Sequence, residues 1–179
     1  MAIKTFTTGE VLTAADTNTY LANSGLVYIT STNIGTSASA TISNCFSSTY
    51  DNYRIIIAGV TSGLVDFTIQ LTSITGSVYV CQGTYQLSGV STVNAYAATS
   101  TTMPIGTFAA TGNNFVQLEL SSPNLAKIKY AYMTSNSNLL SSQQGGLVNS
   151  TVQSTGFTVA AASGNISSGT ITVYGYRKA

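Results

Sequence analysis

The chain has 179 residues, of which 44% are hydrophobic and only 6% charged, against about 25% charged in typical domains, and its net charge is +1. That length suits one domain with room for a small appendage, the apolar content excludes general disorder, and six scattered cations make no basic patch for nucleic acid. With no histidine and two distant cysteines there is no usual zinc ligand set, and the longest apolar run, near Ile55–Val60, is far short of the ~20 residues that span a membrane as a helix.

Residues 1–25 stand apart from the rest. The opening MAIKTFTTGEVL has a lysine but no apolar h-region, so it does not read as a signal peptide. Thr13 and Asp16 have the spacing of a capping box, with the acid in the first turn, where the helix dipole favours an anion. Gly25 is placed to stop the helix, which the pattern predicts over about Ala14 to Ser24. Its apolar face is thin (Ala15, Tyr20, Leu21 and Ala22), and so short a helix needs a surface to pack on, either the main domain or another subunit.

From Leu26 onward the signal is β. Candidate strands lie near 26–32, 36–42, 53–60, 77–82, 103–109 and 156–161. LVDFTIQL alternates cleanly, with Val65, Phe67, Ile69 and Leu71 inward. FVQLEL puts Val116, Leu118 and Leu120 inward, and LAKIKYAYM is read with Ala126, Ile128, Tyr130 and Tyr132 inward and Lys127 and Lys129 outward. TITVYGYR closes the chain in the same style. FSSTYDNYRIIIAGV (46–60) runs from a polar, aromatic lead into three isoleucines, the mark of a central strand covered on both faces. Tyr50, Asp51, Tyr53 and Arg54 read as a collar at its start: Asp51 and Asn52 as turn formers, Asp51 and Arg54 paired with each other or with a neighbouring chain, the tyrosine hydroxyls near water. Two stretches, 87–100 and 134–150, read as long polar loops. The whole predicts an all-β, antiparallel, jelly-roll-like sandwich over 26–179, preceded by a segment 1–25 with a short helix.

The catalytic inventory is thin. Without histidine there is no Ser-His-Asp triad, and there is no P-loop or dinucleotide glycine motif, so no cofactor is expected. Asp66 and Glu119 are the one carboxylate pair to weigh for glycoside hydrolysis, but both fall on outward strand positions. Cys45 and Cys81 form either a disulfide or two small buried thiols. Most of the 11 tyrosines suit half-buried strands or subunit interfaces, whereas Tyr85 and Tyr96, in or beside a loop, are the better candidates to stack on a sugar. The polar loop residues Asn94, Asn136, Asn138, Gln143 and Gln144 suit neutral glycans in the same way.

Three stretches in order, FTTGEVLTAADTNTYL (6–21), FSSTYDNYRIII (46–57) and SGNISSGTITVYGYRKA (163–179), resemble recurrent segments of a group of tailed-bacteriophage virion proteins. They cover about a quarter of the chain. The resemblance implies a non-enzymatic particle protein, often trimeric, assembled in the host cytoplasm and released by lysis, which removes the need for a signal peptide. Its N-terminal segment, with Phe6, Val11, Leu12, Asp16, Tyr20 and Leu21, would join other virion proteins, and its β-domain would face a host surface glycan or protein. Nothing transfers residue by residue onto the central loops. Three functions are therefore expected to compete: a tail-fibre or tail-tip adhesin, a head decoration or purely structural tail protein, and a depolymerase.

Overall fold

The computed structural model describes residues 7–17, 25–90 and 93–178, with the backbone alone for 93–98. Its strands are β1 (Leu26–Ile34), β2 (Ser39–Ile42), β3 (Tyr50–Thr61), β4 (Val65–Leu71), β5 (Tyr79–Leu87), β6 (Val93–Ser100), β7 (Met103–Phe108), β8 (Asn114–Ser121), β9 (Lys129–Asn136), β10 (Leu140–Val148), β11 (Phe157–Ala161) and β12 (Ile166–Arg177). They form two antiparallel sheets, an eight-stranded one in the order β1-β12-β3-β8-β9-β10-β5-β6 and a four-stranded one in the order β2-β11-β4-β7.

This order has a simple reading. Without the hairpins β5–β6 and β9–β10, the remaining sheets are β1-β12-β3-β8 and β2-β11-β4-β7, the arrangement of a jelly roll. Both hairpins add to the same edge, so the large sheet carries a four-stranded wing, β9-β10-β5-β6, beyond β8. The core lies between the layers. Ile55, Ile57, Leu118, Ile171 and Val173 from the large sheet meet Phe67, Ile69, Ile105, Phe108, Phe157 and Val159 from the small one, all at least nine-tenths buried. Phe67 stacks on Phe108 at 4.2 Å between centroids, and Phe46 meets the Tyr53 ring edge-on at 4.7 Å.

At the N-terminus the capping box forms as expected. Asp16 N donates to Thr13 Oγ1 at 3.1 Å and Thr13 N donates to Asp16 Oδ2 at 3.2 Å. The helix described is α1 (Ala14–Asp16); the rest of the span predicted to Ser24 lies outside the described residues.

Four expectations are corrected. The stretches 87–100 and 134–150 are not long loops: they contain β6, the end of β9 and β10, and only short turns remain. Their Ser, Asn, Gln and Gly content hides the alternation because the backbone ladder, rather than apolar side chains, holds the wing strands. The β9 register is one residue out from the reading of LAKIKYAYM: Lys129, Ala131 and Met133 are buried, while Tyr130 and Tyr132 are more than half exposed. Since strand side chains alternate, one misplaced residue inverts the whole run. β3 is central but covered on one face only; Ile56 is half-buried on the outer face, between Gln117 and Thr172 of its neighbours. Finally, Asp51 and Asn52 lie inside β3 rather than in a turn.

Candidate functional site

Because the large sheet has eight strands and the small one four, the wing overhangs the small sheet beside its edge strand β7. A cleft of about 490 Å³ opens there. One wall is the inner face of β5 and β10, with Tyr85, Leu87, Leu140, Ser142 and Gln144; the other is β7 and the start of β4, with Leu64, Asp66, Pro104, Gly106 and Thr107. Its volume falls within the roughly 300–1,000 Å³ of typical small-molecule sites.

The backbone shapes this cleft at two glycines. Gly106 has φ +146° and follows a register shift in the β4–β7 pairing, a bulge that brings β7 against the wing. A Cβ at Gly106 would stand 2.5 Å from Ser135 Cβ, so no side chain fits. Gly83 is opposite Gln144 across the β5–β10 ladder, and a Cβ there would come within 2.8 Å of Gln144 Cγ. The missing side chain leaves room for that of Gln144.

The polar floor is a short chain of side chains. Ser135 Oγ and Ser142 Oγ are 2.6 Å apart, and Gln144 Nε2 donates to Ser142 Oγ at 3.2 Å. All three residues are buried. At the rim, Thr107 Oγ1 donates to Asp66 Oδ1 at 2.6 Å.

The residues expected to contact a ligand are divided by the sheet. Tyr85 and Gln144 come together in the cleft. Gln143 and Asn136 point to the opposite, outer face and are exposed, as strand alternation requires. Asn138 sits in the β9–β10 turn, where its Nδ2 donates to Thr111 Oγ1 at 3.2 Å. Asn94 and Tyr96 pair by backbone register with Tyr85 and Gly83; their side chains lie outside the described residues. Of the expected anchoring residues, Val11 and Leu12 are exposed at 77% and 49%, Asp16 is in the capping box, and Phe6, Tyr20 and Leu21 lie outside the described residues. The sequence reading missed Ser142, Pro104, Thr107 and the four leucine and glycine wall positions. Only the alternation of Ser142 with Gln144 could have pointed to a polar inner face, and nothing linear brings β7 beside β10.

The collar is rearranged. Asp51 and Arg54 do not pair, because an odd separation along a strand puts two side chains on opposite faces. Arg54 Nε instead donates to Glu119 Oε1 at 2.5 Å, directly across the β3–β8 ladder, and Lys178 Nζ lies 2.8 Å from Asp51 Oδ1. Glu119 Oε2 also accepts from the Tyr176 hydroxyl at 2.8 Å. The Glu119 hydrogen bond raises the Arg54 pKa; burial, then Glu119, raises that of Tyr176. Tyr53, expected to keep its hydroxyl near water, is fully buried: the hydroxyl accepts from Ser47 N at 2.8 Å and lies 3.0 Å from the Ser47 carbonyl. Asp66 and Glu119 are not brought together, since one lies on the small sheet's rim and the other in this network on the large sheet's outer face. No disulfide joins Cys45 and Cys81; both are buried thiols.

The outer face of the large sheet carries a second feature. Tyr28 and Tyr130 are each 59% exposed and Tyr132 52%. Tyr28 meets Tyr174 edge-on at 6.1 Å, and Tyr130, Tyr132 and Tyr176 line a shallow groove around Glu119.

Comparison of the chain with protein families, with curated proteins and with solved structures gave no match.

Proposed function

We propose that the chain is a structural protein of a tailed-bacteriophage particle, and within it a tail-fibre or tail-tip component that attaches to the host cell. Residues 1–25 would hold it to the particle and the sandwich would face outward. The observation that carries this reading is the wing. Two hairpins added to one edge of a jelly-roll core form an overhanging cleft lined by neutral polar, aromatic and aliphatic side chains, with Asp66 the single charge among the described residues that line it. The exposed Val11 and Leu12 ahead of the sandwich support a docking role for the N-terminal segment. The reading is of a binding protein without catalytic activity.

A second reading, a head decoration or structural tail protein, draws on the tyrosine-rich outer face of the large sheet. Rings exposed by half or more suit burial against a neighbouring subunit. Adsorption kinetics and copy number separate the two. An attachment protein, purified and added in excess to host cells, slows phage adsorption, and each particle holds a few to a few dozen copies. A protein present in hundreds of copies that leaves adsorption unchanged would be the decoration protein instead.

A further inference from the structure

The cleft floor holds a carboxamide with only part of its hydrogen bonding satisfied. Gln144 is 4% exposed, Nε2 donates to Ser142, and Oε1 is buried with no partner among the described residues. Native chains pair nearly all such buried acceptors. Turning the amide over does not help, because Oε1 would then take the Ser142 contact and leave Nε2 alone. Ser142 Oγ is already engaged with Ser135 Oγ. The position is nonetheless built: Gly83 clears the space beneath Gln144, and Gly106 brings β7 up to Ser135.

The rest of the lining narrows what would complete it. Tyr85, Leu87 and Leu140 offer an apolar wall that includes an aromatic ring. Among the described residues no cation lines the cleft, and Asp66 at its rim is an acceptor. An anionic ligand would meet a carboxylate and no countercharge. A purely apolar ligand would leave Gln144 unpaired. A neutral ring with several hydroxyl donors and one apolar face meets both demands, since rotation about the soft terminal torsion of Gln144 turns its oxygen toward such a donor.

We infer that the cleft between β7 and the wing is a binding site for a neutral saccharide, in which Gln144 Oε1 accepts from a sugar hydroxyl and Tyr85 packs on the ring face. Asp66 takes a further hydroxyl at the rim. The inference deepens the attachment reading and rests on it only for the source of the sugar, a glycan of the host surface.

The test is the full chain on an array of immobilised oligosaccharides, with neutral hexose and N-acetylhexosamine members beside sialylated and phosphorylated ones. Neutral members are expected to bind and anionic ones not. Tyr85→Ala and Gln144→Leu should each weaken binding at least tenfold. Gln144→Leu should do so while holding or raising the melting temperature, because it removes an unpaired buried amide; a purely structural glutamine would lose stability instead. Absence of binding to every neutral member, preference for anionic members, or binding that survives Tyr85→Ala would overturn the site. The two readings fail separately. Equal blocking of adsorption by the wild type and Tyr85→Ala leaves attachment standing without the cleft; saccharide binding in the cleft without any effect on adsorption leaves the cleft without attachment.

Discussion

Lys129 carries its ammonium into the protein with backbone carbonyls for company. Nζ lies within 3.3 Å of four of them, on Leu125, Lys127, Ser150 and Val152. The two segments so joined, one before β9 and one after β10, are further stitched by Ser154 N donating to the Pro123 carbonyl and Asn124 Nδ2 donating to that of Ser154. Burial lowers the Lys129 pKa, the ordinary cost of desolvating an ammonium. Lys129→Met should therefore orphan several carbonyls at once and destabilise by about 3 kcal/mol in urea denaturation, with the Ser154 amide exchanging faster. Lys129→Arg should not restore it, since a planar guanidinium does not fit a ring of converging carbonyls. Tyr79 ties the end of β4 to the turn that follows it, accepting from Leu71 N at 2.9 Å and donating to the Ile74 carbonyl at 3.1 Å. Burial pushes its pKa, and that of the Cys45 thiol, up to about 12. The unfolded chain releases these protons first, near pH 9 for the thiol and 10 for the phenol, so their stabilisation is complete below those values and is lost as pH rises toward about 12. Urea midpoints should fall steadily above pH 9, and Cys45→Ala should flatten that fall while Tyr79→Phe, at neutral pH, costs roughly 1–3 kcal/mol.

Among the elements, legibility followed the source of each strand's stability. β4, β8 and β12 bury one alternating apolar face, and that face is written in their residues. β10 buries Ser142 and Gln144, and β6 reads VNAYAATS, so neither announces itself. For β9 the misleading residue was Lys129: a lysine on a strand is ordinarily placed in water, and here carbonyls from just before β9 and from beyond β10 converge on its ammonium and make its burial tolerable. The Arg54–Glu119 pair was missed for want of register, although the odd spacing of Asp51 and Arg54 already ruled out the pairing first drawn. Of the cleft, Tyr85 and Gln144 were legible as residue types, but the wall supplied by β7 depends on the sandwich closing. That wall should be sensitive to its bulge. Gly106→Ala is expected to cost about 3 kcal/mol, from both its backbone angle and the contact with Ser135. Adding Ser135→Gly should recover only part of the loss in a thermal double-mutant cycle, because the backbone strain remains. As the outermost wing strand, β6 should exchange its amide hydrogens well before β3, which is paired on both sides.

For the whole molecule, the low charge and the tyrosine-bearing outer sheet face point in one direction. Surfaces of this kind give little repulsion between copies. A trimer at micromolar concentration is expected by light scattering, with Tyr130→Arg and Tyr132→Arg together shifting it toward the monomer; a wild-type chain that stays monomeric would count against assembly through this face. The jelly-roll order also sets when the molecule can form. β12, which follows the other described strands in the chain, lies between β1 and β3. Until it emerges, the isoleucine-rich edge of β3 has no neighbour on that side, and β1, made more than a hundred residues earlier, has no place in the sheet. Translation at ~5–20 residues per second makes that wait several seconds long. The nascent chain must keep an open, sticky edge out of trouble for the whole of it, and β12 acts as the zip that ends the exposure.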